Sequence, residues 1–183
     1  MEQTLVLLKP DAVKRGIMGE IFHRFERMGL RIVALKMVKA DKNLLNTHYA
    51  TDKKETVERI GGKTLATYEK YGKDAMKDYG TKDPAVLGKM VVGWLLEYMS
   101  SSPVVAIVVE GKHAVENVVN LAGSTMPVNA APGTIRGDFS TDSAAYANEE
   151  KRAVMNLVHI SATPEEAKFE ISLWFTPEEI HSY

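Results

Sequence analysis

The order of strand-like and helix-like segments in this 183-residue chain predicts an α+β fold. Specifically, it predicts a ferredoxin-like βαββαβ sandwich with an antiparallel sheet, additional helices and a helical insertion. Three observations carry this. Thr4–Leu8 and Val104–Val109 are short, continuous apolar runs, as strands buried on both faces are. Leu30–Ala40 is rich in β-branched residues and largely alternates, which suits an antiparallel strand with one wetter face. Helical periodicity fills the intervals between these runs, giving strand-helix-strand and then helix-strand-helix-strand.

The elements follow in order. Pro10 closes the first strand. Val13, Ile17, Ile21, Phe25 and Met28 recur at helical spacing, predicting one helix that Gly29 stops. After the second strand a shorter helix covers Lys42 to Tyr49. Leu87, Met90, Val91, Trp94, Leu95 and Tyr98 form the clearest amphipathic stripe. Val104–Val109 leads into a helix from Lys112 to Leu121. Gly123–Phe139 holds two prolines and three glycines and reads as an ordered loop. Asn156 to His159 ends a last short strand, and Thr163 caps a helix over Pro164–Leu173.

Composition excludes several classes. The chain is long enough for one well-cored domain, 1–183, and short for two. A formal net charge of -1 gives neither a nucleic-acid footprint nor a polyacidic tail. Cysteine is absent, which removes thiol nucleophiles, disulfides and thiolate metal sites. No apolar run approaches a membrane span, and Met1-Glu2-Gln3 running straight into a strand is no signal peptide. A cytoplasmic location is the expectation.

Residues 51–83 break the rhythm: fifteen of these 33 residues are charged, and Tyr68, Tyr71 and Tyr79 are the only clustered large side chains. The segment, about 51–85, is predicted to be a helical insertion with few core-type residues, acting as a lid, an oligomer contact or a plain surface elaboration. Within it, Gly62-Lys63-Thr64 imitates the tail of a phosphate-binding P-loop. The other glycine that motif requires falls at Val57, and the preceding Lys53–Arg59 is charged and helical rather than a buried strand. A P-loop is therefore rejected.

The chemistry concentrates elsewhere. His159 stands at the end of an apolar run, with Ser161 beside it and Glu170 eleven residues downstream. A neutral imidazole attacks phosphorus well, and a carboxylate can fix its far ring nitrogen in the correct tautomer. His23, His48, His113 and His181 lack such company and read as structural or exposed. Lys9 follows a strand and precedes Pro10-Asp11; by itself it could be a solvated strand end. Asn156 precedes His159 by three, so the two share a side only if the strand ends or bulges between them. A loop as stiff as Gly123–Phe139 suits preorganised phosphate binding.

Lys9-Pro10-Asp11, Gly123-Ser124-Thr125-Met126-Pro127, Pro132-Gly133-Thr134-Ile135-Arg136-Gly137-Asp138-Phe139 and Asn156-Leu157-Val158-His159-Ile160-Ser161, in that order, resemble the nucleoside diphosphate kinase family. The resemblance covers nearly the whole chain apart from a segment near 51–85. It implies ping-pong transfer of the γ-phosphate of ATP to nucleoside diphosphates through a phosphohistidine on His159. It further implies that Glu170 and Ser161 orient the ring and that the Tyr49 hydroxyl joins the network behind it. Lys9 is expected to reach the transferred phosphate, Thr125 and Arg136 to hold phosphate oxygens, and Asn156 to bind the sugar. Mg²⁺ would travel with the nucleotide phosphates, and the family assembles as homo-oligomers, hexamers or tetramers. Neither nucleic acid nor membrane is an expected partner.

The chain departs from the family pattern in places. Val119 stands where an arginine usually precedes the loop threonine by six, and Ala162 follows Ser161 where an aspartate is common. A second family arginine, soon after His48-Tyr49, has no clear equivalent; Arg59 or Lys63 is the candidate replacement. The alternative reading is a nucleotide-binding relative that has lost turnover, with the insertion serving a partner.

Overall fold

Leu5 to Leu8 are wholly inaccessible to solvent, which is why this apolar run needs no alternation to be a strand. β1 spans Glu2–Leu8, followed by α1 (Pro10–Lys14), α2 (Met18–Arg27), β2 (Arg31–Val38) and α3 (Lys42–Tyr49). Next come α4 (Lys54–Lys70), α5 (Ala75–Tyr79), α6 (Pro84–Ser100), β3 (Val104–Gly111) and α7 (Ala114–Ala122). The chain ends with α8 (Ile135–Phe139), α9 (Ala144–Glu149), β4 (Val158–Ile160) and α10 (Pro164–Trp174). This computed structural model describes all 183 residues, in two units. One comprises Met1–Ala40, Ser102–Thr141 and Asn156–Tyr183; the other comprises Asp41–Ser101 and Asp142–Met155.

In the first unit the strands lie in the order β2-β3-β1-β4, every pair antiparallel, which is the ferredoxin-like sheet. Val6 and Leu8 of β1 sit opposite Ile107 and Val105 of β3. These residues and Val109 pack against Ile21 and Phe25 of α2, Val118 of α7 and Ile135 of α8. Full burial of side chains such as Ile21 and Phe25 contributes about 1.5–3 kcal/mol each. α10 packs against β1, opened as expected by Thr163, whose hydroxyl accepts from the Glu166 N–H at 3.2 Å.

Three local expectations are corrected here. The helix expected from Val13 to Met28 is two, because Gly16 takes a left-handed φ of 68° and ends α1. The Ile17 N–H then reaches back to the Ala12 carbonyl at 3.3 Å. In β2, a register shift between Ile32 and Ala34 moves the alternation by one residue. Leu35 and Met37 consequently face outward, 52% and 55% exposed, while Lys36 is bound by Glu179 at 2.6 Å and lies over the Phe175 ring. The loop 123–139 closes partly as helix, with a short 3-10 turn at Pro127–Asn129 and then α8, capped by the Thr134 hydroxyl.

In the second unit, α4 and α5 bear out the helical reading of the 51–85 segment, and its few buried apolar residues, Val57, Tyr68 and Ala75, are packed rather than solvated. Val57, Gly61, Thr64 and Tyr68 form one buried stripe along α4. α4 lies in backbone contact with α6: a Cβ on Gly61 would come 1.9 Å from the Pro84 carbonyl oxygen, and one on Gly88 2.0 Å from that of Val57. Tyr68, Ala75 and Leu87 form a small core with Leu65, Tyr79 and Met90 against it. The Tyr79 hydroxyl donates to the Asn148 carbonyl at 2.5 Å. The α6 stripe shifts accordingly: Leu87 is buried as expected, but with it go Gly88, Val92 and Met99. The pseudo-P-loop lies within α4, and the Thr64 hydroxyl bonds the Ile60 carbonyl at 3.2 Å, a helical back-bond with no nest for phosphate.

Candidate active site

The site is organised by β4, three residues long, which pairs with β1 at Val6↔Ile160, Leu7↔His159 and Leu8↔Val158. Just before it, Leu157 adopts a φ of 68° and the Val158 N–H donates to the Asn156 carbonyl at 2.8 Å, making a γ-turn. This is the break that lets Asn156 and His159 serve one site. A left-handed leucine costs about 1–2 kcal/mol, so the surroundings must hold it. The Lys9-Pro10-Asp11 segment does so from both sides. The Lys9 N–H donates to the Leu157 carbonyl at 2.8 Å, and the Leu157 N–H donates to Asp11 Oδ2 at 3.1 Å.

His159 projects from β4 with its side chain 20% exposed. Its Nε2 lies 2.9 and 3.0 Å from the two carboxylate oxygens of Glu170, on α10. The Ser161 hydroxyl, fully buried, donates to Glu170 Oε2 at 2.5 Å. Both carboxylate oxygens are thus engaged, Nε2 carries the proton, and the nucleophilic lone pair belongs to Nδ1. Burial first, then the nearby Lys9 and Arg136 charges, push the His159 pKa down to about 3, so the ring is neutral at physiological pH.

Two buried cations flank it. Lys9, 7% exposed, donates from Nζ to Asn156 Oδ1 at 2.6 Å. Burial and then Arg136 lower its pKa to about 8, with Asp11 acting in the opposite sense. Arg136, 4% exposed, gives Nε to the Asn156 carbonyl (3.2 Å), Nη1 to that of Gly123 (2.6 Å) and Nη2 to that of Val158 (2.9 Å). Burial lowers its pKa to about 10, leaving it charged. The fork therefore ties the loop to the strand before His159, and two of its five N–H groups remain for a ligand. Neither cation is bonded to a carboxylate; neutral oxygens hold both. A buried charge bonded only to neutral oxygens is costly, and an anion in the site relieves that cost.

The Asn156 amide donates to the Thr125 carbonyl at 2.9 Å, which places Thr125 beside the cluster with its side chain exposed. The loop is braced from α2: Arg24 donates to the Gly133 carbonyl at 2.8 Å and pairs with Asp138 at 2.5 Å. The structure thus brings together Lys9, Thr125, Arg136, Asn156, His159, Ser161 and Glu170. Tyr49, Arg59 and Lys63 belong to the other unit. The Tyr49 ring stands edge-on to His48 at 4.6 Å, and Arg59 and Lys63 are exposed one turn apart on α4. Asp11 and Arg24 were not assigned roles from sequence. Asp11 sat in a recognised motif, whereas nothing in the α2 sequence marks Arg24.

The carboxylates of this cluster are occupied, Glu170 by His159 and Ser161 and Asp11 by the Leu157 N–H. The Lys9 ammonium and the Arg136 guanidinium beside them are N–H donors, which suit phosphate oxygens. A neutral, oriented imidazole in such surroundings accepts a phosphoryl group on Nδ1, which makes this sandwich a phosphotransferase by its chemistry. The comparisons agree. The family model described as nucleoside diphosphate kinase matches residues 2–59 and 85–180. The nucleoside diphosphate kinase of Pyrobaculum aerophilum is 48% identical over 98% of each chain. That of Pyrococcus furiosus is 40% identical over all of this chain and 88% of its own. A crystal structure of an NDP kinase from Pyrobaculum aerophilum superposes with a TM-score of 0.93 at 47% identity, covering 99% of both chains. A Borrelia burgdorferi nucleoside-diphosphate kinase, a transition-state mimic with bound vanadate and ADP, gives 0.78 at 37% identity over 100% of this chain and 91% of that one. This chain belongs to the nucleoside diphosphate kinase family.

Proposed function

We propose that this chain is a nucleoside diphosphate kinase whose phosphoryl carrier is Nδ1 of His159. The observation that carries the reading is the neutral imidazole tied at Nε2 to Glu170 and flanked by two buried cations bonded to no carboxylate. Nδ1 attacks the γ-phosphorus of ATP, the bond to the bridging oxygen breaks, and ADP leaves. A terminal oxygen of a second nucleoside diphosphate then attacks the phosphohistidine, returning the lone pair to Nδ1. As the ring gains positive charge, the Glu170 carboxylate stabilises it, and Ser161 keeps that carboxylate in place.

Lys9 and the spare N–H groups of Arg136 neutralise charge on the transferred phosphate, the exposed Thr125 hydroxyl binds a phosphate oxygen, and Asn156 meets the sugar hydroxyls. These contacts address phosphate and sugar, so base selectivity is loose. Mg²⁺ arrives with the nucleotide, since the protein groups around His159 are cations and occupied carboxylates; no step here depends on it. The Tyr49 hydroxyl takes its supporting part from the family resemblance, and Arg59 or Lys63 is the candidate replacement for a family arginine, with 51–85 as an insertion in one kinase domain. Substituting each in turn, Tyr49→Phe, Arg59→Ala and Lys63→Ala, and measuring the Michaelis constant reads those parts; unchanged constants remove them. The exposed Leu35 and Met37 on the edge strand β2 favour a homo-oligomer, hexamer or tetramer, and a monomer by sedimentation would refute it. No helix is long and apolar enough to cross a membrane, and a cytoplasmic location is proposed with the function.

The experiment is incubation with γ-labelled ATP, followed by acid and base treatment of the protein. Acid-labile, base-stable label mapping to His159 is expected. His159→Gln should abolish label and turnover while ADP binding stays within several-fold, because Lys9, Arg136 and Asn156 remain. Label on another histidine in the variant would sink the assignment.

A further inference from the structure

Leu157 is a fully buried, β-unbranched core residue held in a left-handed conformation two positions before His159 and one after Asn156. No glycine relieves it. Both of its backbone polar groups are taken by the segment after β1: the carbonyl by the Lys9 N–H, the N–H by the Asp11 carboxylate. The Asp11 side chain is itself buried, 8% exposed, where a carboxylate is costly unless it has a fixed partner. We propose that Asp11 is a positioning residue for phosphoryl transfer: it holds the Leu157 peptide in its left-handed turn, so that Nδ1 of His159 and the Asn156 amide face the same nucleotide.

The argument is geometric. Released from Asp11, Leu157 gains by returning to a negative φ, and that rotation swings Asn156 relative to β4, whose register with β1 fixes His159. The attacking nitrogen and the sugar-binding amide then no longer agree on one ligand position, and misplacement on the ångström scale is costly in rate. Lys9 is affected less directly, because its backbone N–H still grips the Leu157 carbonyl. The proposal rests on His159 as the phosphoryl acceptor.

Two variants read it. Asp11→Ala removes the acceptor, and Asp11→Asn keeps a carbonyl oxygen for the Leu157 N–H. In rapid-quench single turnovers at saturating labelled ATP, Asp11→Ala should slow phosphorylation of His159 at least about tenfold, with ADP affinity changed less than about threefold. Asp11→Asn should stay within about threefold of the parent rate. A residue that only supports the fold would reduce the fraction of protein labelled and leave the rate per labelled site unchanged; that result overturns the proposal. If Asp11→Ala does not fold, Leu157→Gly and Leu157→Ala decide. Both lose the same core side chain, but only glycine takes a left-handed φ without steric cost, so the Leu157→Gly protein should transfer about threefold or more faster. Equal rates overturn the proposal. Absence of label from His159 in the parent protein overturns the functional reading and this proposal together, whereas normal labelling with unchanged variant rates overturns this proposal alone.

Discussion

Glu170 is the side chain that the proposed mechanism sets behind His159: both of its oxygens face Nε2 and one also receives the Ser161 hydroxyl. Glu170→Gln keeps a hydrogen bond but removes the charge that stabilises the imidazolium formed during transfer. Losing a charge-assisted bond of this kind costs roughly 1.5–3 kcal/mol, about ten- to hundred-fold in rate. Rapid-quench phosphorylation at saturating ATP should slow by that factor with nucleotide affinity little changed; an unchanged rate would make Glu170 a helix residue without a catalytic part. Lys9 supplies the pH dependence. Its pKa in the folded protein, about 8, lies below the unfolded value of 10.5. The charged lysine therefore costs stability at neutral pH, and that cost is relieved as pH rises from 8 to 10.5. Binding moves the other way: free enzyme loses the Lys9 charge above pH 8, so kcat/KM for ATP should fall there. At saturating nucleotide, where phosphate holds the proton on, kcat should fall less. A kcat/KM profile flat to about pH 9.5 would deny Lys9 a phosphate contact. At this scale the residues themselves pointed to His159, Ser161 and Glu170, whose side chains carry their chemistry, whereas Lys9 and Asn156 were legible only through the family resemblance. Asp11 stayed hidden because its partner is a backbone N–H, which every residue but proline possesses.

At the scale of elements, glycines explain most of what differed from expectation. Gly61 and Gly88 have no side chain and so give no hydrophobic signal, yet they are where α4 and α6 meet backbone to backbone. Read by its charges alone, the segment is a lid, an oligomer contact or a surface elaboration; its buried stripe makes α4 part of a core. Gly61→Ala should destabilise the protein by roughly 1–3 kcal/mol or more, because the added carbon would strike the Pro84 carbonyl. Its neighbour is the control: nothing lies within 4 Å of a Cβ on Gly62, so Gly62→Ala should stabilise α4 by about 0.5–1 kcal/mol. Thermal denaturation of the pair checks this, and equal shifts would refute the close contact. By the same reasoning, deleting 54–82 should disrupt folding of the α6 region. The β2 edge escaped for a different reason: a bulge changes which face each residue takes, and no residue type marks it. The first three strands, the α3 boundaries and the Thr163 cap were legible because apolar runs and capping residues act locally, whereas the last strand, expected over Asn156 to His159, begins only at Val158 because Asn156 and Leu157 form the turn before it.

At the scale of the whole molecule, the antiparallel order β2-β3-β1-β4 brings the end of β1 beside β4, so that the segment after β1 and the turn before β4 meet. Lys9 and Asp11 on one side and Asn156 and His159 on the other are far apart in sequence and become one site through that pairing alone. The loop ending in α8 joins through Arg136, whose three carbonyl bonds tie it to the same turn. The central claim is that the phosphoryl group rests on His159 between two nucleotides, and stereochemistry at phosphorus reads it directly. Each in-line displacement inverts the phosphorus, so two successive displacements through His159 restore it. Transfer from ATP made chiral at the γ-phosphorus with oxygen isotopes to a different nucleoside diphosphate should proceed with net retention. Net inversion would mean one direct displacement between nucleotides, and would contradict the phosphohistidine account.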